Sequence, residues 1–225
     1  MPDTNEHAEP TPGELTDTAV DLAANDKQPE LARKRPKPGE RRAQILHTLA
    51  TMLEQPGAER ITTAALAASL QVSEAALYRH FASKAQMFEG LIEFIETSLF
   101  TLVNQINERE TSGVAQAQKI ASVLLQFGER NPGMTRVMVG DALVFENDRL
   151  VQRMNQFFDR IESALRQSLR LAAESGGSAT PTVQANMQAS VLVSFVLGRL
   201  QRYARSGFKR LPTEQLDGAL RILVS

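Results

Sequence analysis

From Arg41 onward, large apolar residues recur at intervals of three and four and do not alternate, and that spacing confines the chain to helices. Ile45, Leu46, Leu49, Met52 and Leu53 mark one apolar face, with Pro56 and Gly57 as its stop. "ITTAALAASL" and "SEAALYRHF" predict two short helices separated by Gln71 and Val72. A long helix is expected from Ser83, where Ser83 and Gln86 fit a capping box, to about Asn107. More helices are expected at about 114–129, 133–139, 146–173, 182–206 and 213–224, broken by "TSG", "ERNPG", "ESGGSATP" and "SGFKRLP". The prediction is an all-α protein in two parts.

The short pair meets the physical needs of a helix-turn-helix. Two helices crossing steeply at a tight turn need a small residue at the approach, which Ala67 supplies, and inward apolar residues, which Leu66, Leu70, Val72 and Leu77 supply. Thr62 and Ser73 are suitable N-caps. Gln71 occupies the turn, where glycine would cost less. If Leu77 faces inward, residues 74, 75, 78 and 79 project outward and His80 lies at the rim. The second helix of such a unit enters the DNA major groove. Tyr78, Arg79 and His80 can then donate hydrogen bonds, while Ala75 and Ala76 keep the helix thin enough to approach base edges.

Charge is divided along the chain. The 225 residues sum to -1, but residues 1–30 hold eight acids against Lys27 alone, a net -7, which leaves +6 for residues 31–225. Residues 1–40 read as a disordered acidic tail ending in the basic "RKRPKPGERR", residues 41–85 as a DNA-binding domain, and residues 86–225 as a helical second domain. The basic run is either a solvated linker or an arm that lies along phosphates. The lack of cysteine excludes disulfides, thiol nucleophiles and cysteine-based zinc sites. No apolar run reaches the roughly 18 residues of a membrane span, and the N-terminus is unlike a signal peptide, so a cytoplasmic protein is expected. Only His7, His47 and His80 are available, with no phosphate-cradling glycine loop or nucleophile motif. Enzymatic activity, metals and cofactors are therefore not expected.

"ITTAALAASLQVSEAALYRHFASKAQMFEGLIEF" resembles the DNA-binding region of TetR-family regulators, with Leu-Ala, a helix-turn-helix, Tyr-x-His-Phe and a lysine opening the fourth helix in that order. "LIEFIE", "FGERNPG" and "FDRIESALRQ" narrow the resemblance to the nucleoid-occlusion members of the family, over roughly residues 41–210. The resemblance implies a TetR-like fold and a nucleoid-associated homodimer on palindromic double-stranded DNA, with higher assembly on DNA left open. When DNA-bound, such a dimer antagonises polymerisation of the tubulin-like division protein FtsZ and blocks septum formation over the chromosome. By motif position it places Thr63, Ser73, Ala75, Tyr78, His80 and Lys84 at the DNA, beside the Arg79 reached from helix geometry. It also implies a four-helix dimer interface from helices 146–173 and 182–206; Val191, Leu192, Phe195, Val196 and Leu200 form an apolar face suited either to that interface or to packing within the chain.

On the long helix, Phe88, Leu91, Ile92, Ile95, Leu99, Leu102, Val103 and Ile106 fall within one stripe, and Phe94 lies roughly 120° off it at about 100° per residue. Such an aromatic is either covered by another helix or an exposed anchor. The resemblance implies the second, mapping a partner surface onto Phe94, Leu102, Val123, Gln126, Arg130 and Asn131. Leu102 stands where a basic residue is expected and Gln126 where glycine is. In "ERNPG", Asn-Pro-Gly reads as a helix stop and Arg130 as a complement to the helix dipole. The alternative function is a ligand-responsive repressor with a cavity between the middle helices, for which Met134, Met138 and Phe145 are candidate lining residues.

Overall fold

The computed structural model describes residues 39–55 and 60–224. The acidic segment and the Pro56-Gly57 stop lie outside those residues. Helix α1 spans Glu40–Leu53, α2 Thr63–Ser69, α3 Glu74–Tyr78, α4 Lys84–Arg109 and α5 Gly113–Arg130. Helix α6 spans Pro132–Met138, α7 Asp148–Ser175, α8 Pro181–Arg205 and α9 Leu216–Leu223, with a 3-10 turn at Asp141–Leu143. No strand occurs among the described residues.

The helix starts follow from local chemistry. Thr62 accepts a hydrogen bond from the Ala65 amide at 3.1 Å, and Ser83 accepts one from Gln86 at 3.2 Å, satisfying amides that the first turn leaves unpaired. The Gln86 side chain accepts from the amide of Ala82 at 2.8 Å, one residue earlier than the expected capping box requires. Ser73 has the extended backbone of an N-cap but makes no capping bond. The α-helical part of "SEAALYRHF" ends at Tyr78, so Arg79 and His80 occupy the following turn. Gln71 adopts φ 55°, the left-handed conformation expected to favour glycine in this turn.

Ile45, Leu49, Leu66, Leu77 and Phe81 close a core under the helix-turn-helix, continuous with Phe88, Leu91, Ile95 and Leu99 of α4. Helix α4 therefore belongs to both parts of the molecule, and the 85/86 boundary falls in its first turn. Leu102, assigned by periodicity to the core stripe, is 38% exposed. It sits at the edge of that stripe, while Leu99 and Val103 beside it are buried.

Helix α6 joins the two parts. Gly133 packs so closely on α1 that an added Cβ would overlap the Ala50 carbonyl oxygen. "NPG" is therefore more than a stop. Asn131 ends α5, Pro132 occupies the first turn of α6, where its missing N–H costs nothing, and Gly133 permits backbone contact with α1. Behind it, buried Thr135 donates to the Gly128 carbonyl at 2.8 Å, and Tyr203 of α8 donates to the Glu129 carbonyl at 3.1 Å. Burial, reinforced by Glu129 and Glu54, pushes the Tyr203 hydroxyl above its ordinary pKa.

The expected dimer face on α8 requires correction. Leu192, Val196 and Leu200 are fully buried within this chain, and Phe195 is half-buried. Of the five residues proposed, only Val191 is exposed. The outward stripe instead runs through Val183, Met187, Val191 and Ser194 to half-buried Gly198. Both faces of α8 hold apolar residues, and the one with more of them turns inward.

Candidate nucleic-acid interface

Helix α3 presents Glu74, Ala75 and Tyr78 to solvent and the turn after it Arg79 and His80, with Leu77 fully buried beneath. Tyr78 is 45% exposed, so its ring covers little core. The support behind this face was only partly visible in the sequence. Thr63 donates to Glu74 at 2.6 Å, tying the first residue of α2 to the first of α3. Arg42 lies 4.1 Å from the Phe81 ring centre and donates to the His80 carbonyl at 3.0 Å. A cation thus completes the negative end of the short helix, and α1 fixes the angle at which α3 is offered. The signal for Arg42 was its place in the basic run leading into α1.

Of the expected DNA residues, Ser73, Ala75, Tyr78, Arg79 and His80 share this exposed face. Thr63 is half-buried with its hydroxyl committed to Glu74. Lys84, at the start of α4, has its ammonium paired with Glu146 and 5.6 Å from the Phe88 ring centre.

Behind the reading face, α4 carries Phe94 outward, 49% exposed, with its ring centre 6.4 Å from that of Phe127. Helices α4 and α5 are antiparallel, for Phe94 meets Phe127 at one end while Gln116 donates to the Asn107 and Glu110 carbonyls at the other. Val123, Phe127, Arg130 and Asn131 are spaced to share one side of α5, beside exposed Gln126. Asn131 donates to the Phe127 carbonyl at 2.8 Å, and Arg130 occupies the last turn of α5. The structure thus joins Phe94 to the expected α5 residues through Phe127, which the sequence reading missed. Its spacing of four from both Val123 and Asn131 was the available signal. Leu102 lies two turns along α4, about 12 Å from the level of Phe94.

The cavity residues do not assemble as expected. Phe145 is 59% exposed beneath the Arg60 guanidinium, and Met134 is half-buried. Met138 lines a groove of about 840 Å³ between α7 and α8, which is open to solvent. Among the described residues, no helix is long and apolar enough to cross a membrane.

Residues 45–91 match the family described as bacterial regulatory proteins, tetR family, and residues 111–225 match the SlmA-like tetracyclin repressor-like C-terminal domain. The chain is 50% identical over 183 residues to the nucleoid occlusion factor SlmA of Idiomarina loihiensis, covering 81% of this chain and 93% of that protein. It is 53% identical over 178 residues to SlmA of Vibrio cholerae, covering 79% and 90%. The TetR-family transcriptional regulator PfmR of Thermus thermophilus shares the fold at a TM-score of 0.67 and 19% identity, covering 80% of this chain and 97% of that one. These names are those of regulators and occlusion factors, not of enzymes. With both domain matches in chain order and about half of the aligned residues identical, this chain belongs to the SlmA family of TetR-type nucleoid occlusion factors.

Proposed function

We propose that this chain works in the cytoplasm as a nucleoid-associated homodimer that binds palindromic double-stranded DNA and, once bound, antagonises FtsZ polymerisation, blocking septum formation over the chromosome. The observation that carries the coupling is the continuity of α4. One unbroken helix begins at the edge of the DNA-reading face and displays Phe94 further along. Ser73, Ala75, Tyr78, Arg79 and His80 would meet DNA. Lys84 could add a phosphate contact only by sharing or leaving Glu146, while Thr63 would act through Glu74. Phe94, Leu102, Val123, Gln126, Arg130 and Asn131, with Phe127 among them, form the surface offered to FtsZ.

Sedimentation of FtsZ polymers with this protein tests the coupling. Adding specific DNA should lower the pelleted fraction, and Phe94→Ala should abolish that effect without changing DNA affinity. An unchanged pellet would overturn it.

The outward stripe on α8 supports the dimer. Val183, Met187 and Val191 are exposed, and beyond them a Cβ on Gly198 would meet nothing within 4 Å. A helical glycine costs about 0.5–1 kcal/mol relative to alanine, and this chain's own packing supplies no reason for it. A second helix approaching closely would. Met187→Glu should therefore shift the protein to monomer at micromolar concentration in analytical ultracentrifugation, and should weaken palindrome binding in parallel.

A further inference from the structure

Three ion pairs stitch α4 to the start of α7 and the turn just before it. Lys84 pairs with Glu146, Glu89 with Arg149 at 2.6 Å, and Glu96 with Arg153 at 2.6 Å. The last is a two-point contact, because the Arg153 Nε also donates to Glu96 at 3.3 Å. The hydrogen bonds it donates to Glu96 hold the Arg153 guanidinium above its ordinary pKa, with Glu96, Glu93 and Glu89 adding to the negative field around it. The Glu146 side chain is only 10% exposed, with Lys84 as its paired cation. On α4 the seam begins at the first residue after the recognition unit. On α7 it occupies the same turns as Val151, Met154 and Asn155, which line the open groove toward α8.

The two sides of the seam therefore belong to the two surfaces that a palindrome brings into register. A palindrome measures the distance and rotation between two recognition helices, and one inserted base pair changes these by about 3.4 Å and roughly 34°. In a dimer built on α7 and α8, each recognition unit hangs from α4 with α6 bracing α1, and the angle of α4 against α7 enters both quantities. Apolar contacts between two helices allow some sliding at little cost. A forked arginine–carboxylate pair has one good geometry.

We infer that Glu89, Glu96, Glu146, Arg149 and Arg153 are positioning residues for DNA recognition: without touching DNA, they set which half-site spacing the dimer accepts. This rests on the dimeric DNA-binding reading above. Glu96 and Arg153 carry most of it, having the better geometry and less exposure than Glu89 and Arg149. At Glu96 and Arg153 spacing is separate from contact, since Tyr78, Arg79 and Lys84 take no part in that pair.

The test uses the full chain and a palindromic duplex selected from random DNA, together with duplexes carrying one base pair more or fewer at the centre. Affinity is read by fluorescence anisotropy and folding by thermal melting. The unaltered protein should prefer one spacing by about 10-fold or more, whereas Glu96→Ala and Arg153→Ala should each reduce that preference to about 3-fold, a coupling of ordinary size for residues remote from a ligand. The exchanged pair, Glu96→Arg with Arg153→Glu, should recover the preference. Glu89→Ala, removing a more exposed pair, supplies a second variant if either single change prevents folding. The inference is overturned if the preference survives the alanine variants, if affinity falls equally at all spacings, or if the exchange recovers nothing. Failure of the unaltered protein to bind any palindrome would instead sink the DNA reading itself, and this inference with it.

Discussion

Tyr78→Ala should weaken binding to the palindromic site by roughly 10- to 100-fold, the range expected when a base-edge contact worth about 1–3 kcal/mol is lost. The melting temperature should barely move, because the ring is 45% exposed and Leu77, not Tyr78, fixes α3 to its support. The salt dependence provides a separate reading. Tyr78 carries no charge, so the slope of log affinity against log salt should stay unchanged, whereas Arg79→Ala should reduce it by about one. Fluorescence anisotropy on a labelled duplex at several salt concentrations measures both. An unchanged affinity for Tyr78→Ala would mean that the ring only covers a helix end.

Gly133→Ala should be strongly damaging at the joint where α6 meets α1. The new Cβ would overlap the Ala50 carbonyl oxygen, a backbone atom that cannot turn aside, with the Leu53 Cβ also only 3.2 Å away. Overpacking of this kind costs about 3 kcal/mol. For a chain of this size that corresponds to a fall of roughly 6–12 °C in melting temperature. Gly218→Ala is the control, since a Cβ there meets nothing within 4 Å, and it should be neutral or slightly stabilising. Equal melting temperatures for the two variants would show that α1 and α6 can separate at no cost.

Much of the fold could be read from spacing alone. Leu66, Ala67 and Leu77 are buried where two crossing helices require them, and Phe94 points outward as its phase on α4 predicts. The readings that failed share one cause. A periodic pattern reports that a side chain is covered, but not which neighbour covers it. On α8 the stripe through Leu192, Val196 and Leu200 and the stripe through Val183, Met187 and Val191 both satisfy the helical period. Only tertiary packing shows that the first belongs to this chain's own core. The sequence likewise gives no sign that Lys84 is paired, because the carboxylate that holds it lies 62 residues further on. No local pattern carries a pairing of that range. Asn-Pro-Gly usually punctuates a helix, and the close approach that Gly133 permits involves α1, far away in sequence.

The contact at Gly133 has a mechanical consequence. Between most packed helices, side chains can change rotamer and absorb a small displacement before it reaches the neighbouring backbone. At Gly133 and Ala50 there is no side chain from α6 to do so. A shift of α6 by a fraction of an ångström toward α1 is met directly by the main chain, and α1 in turn holds the end of α3 through Arg42. At this joint strain is transmitted rather than dissipated, and the stiffness of the DNA-reading face is set partly by a glycine that never reaches it.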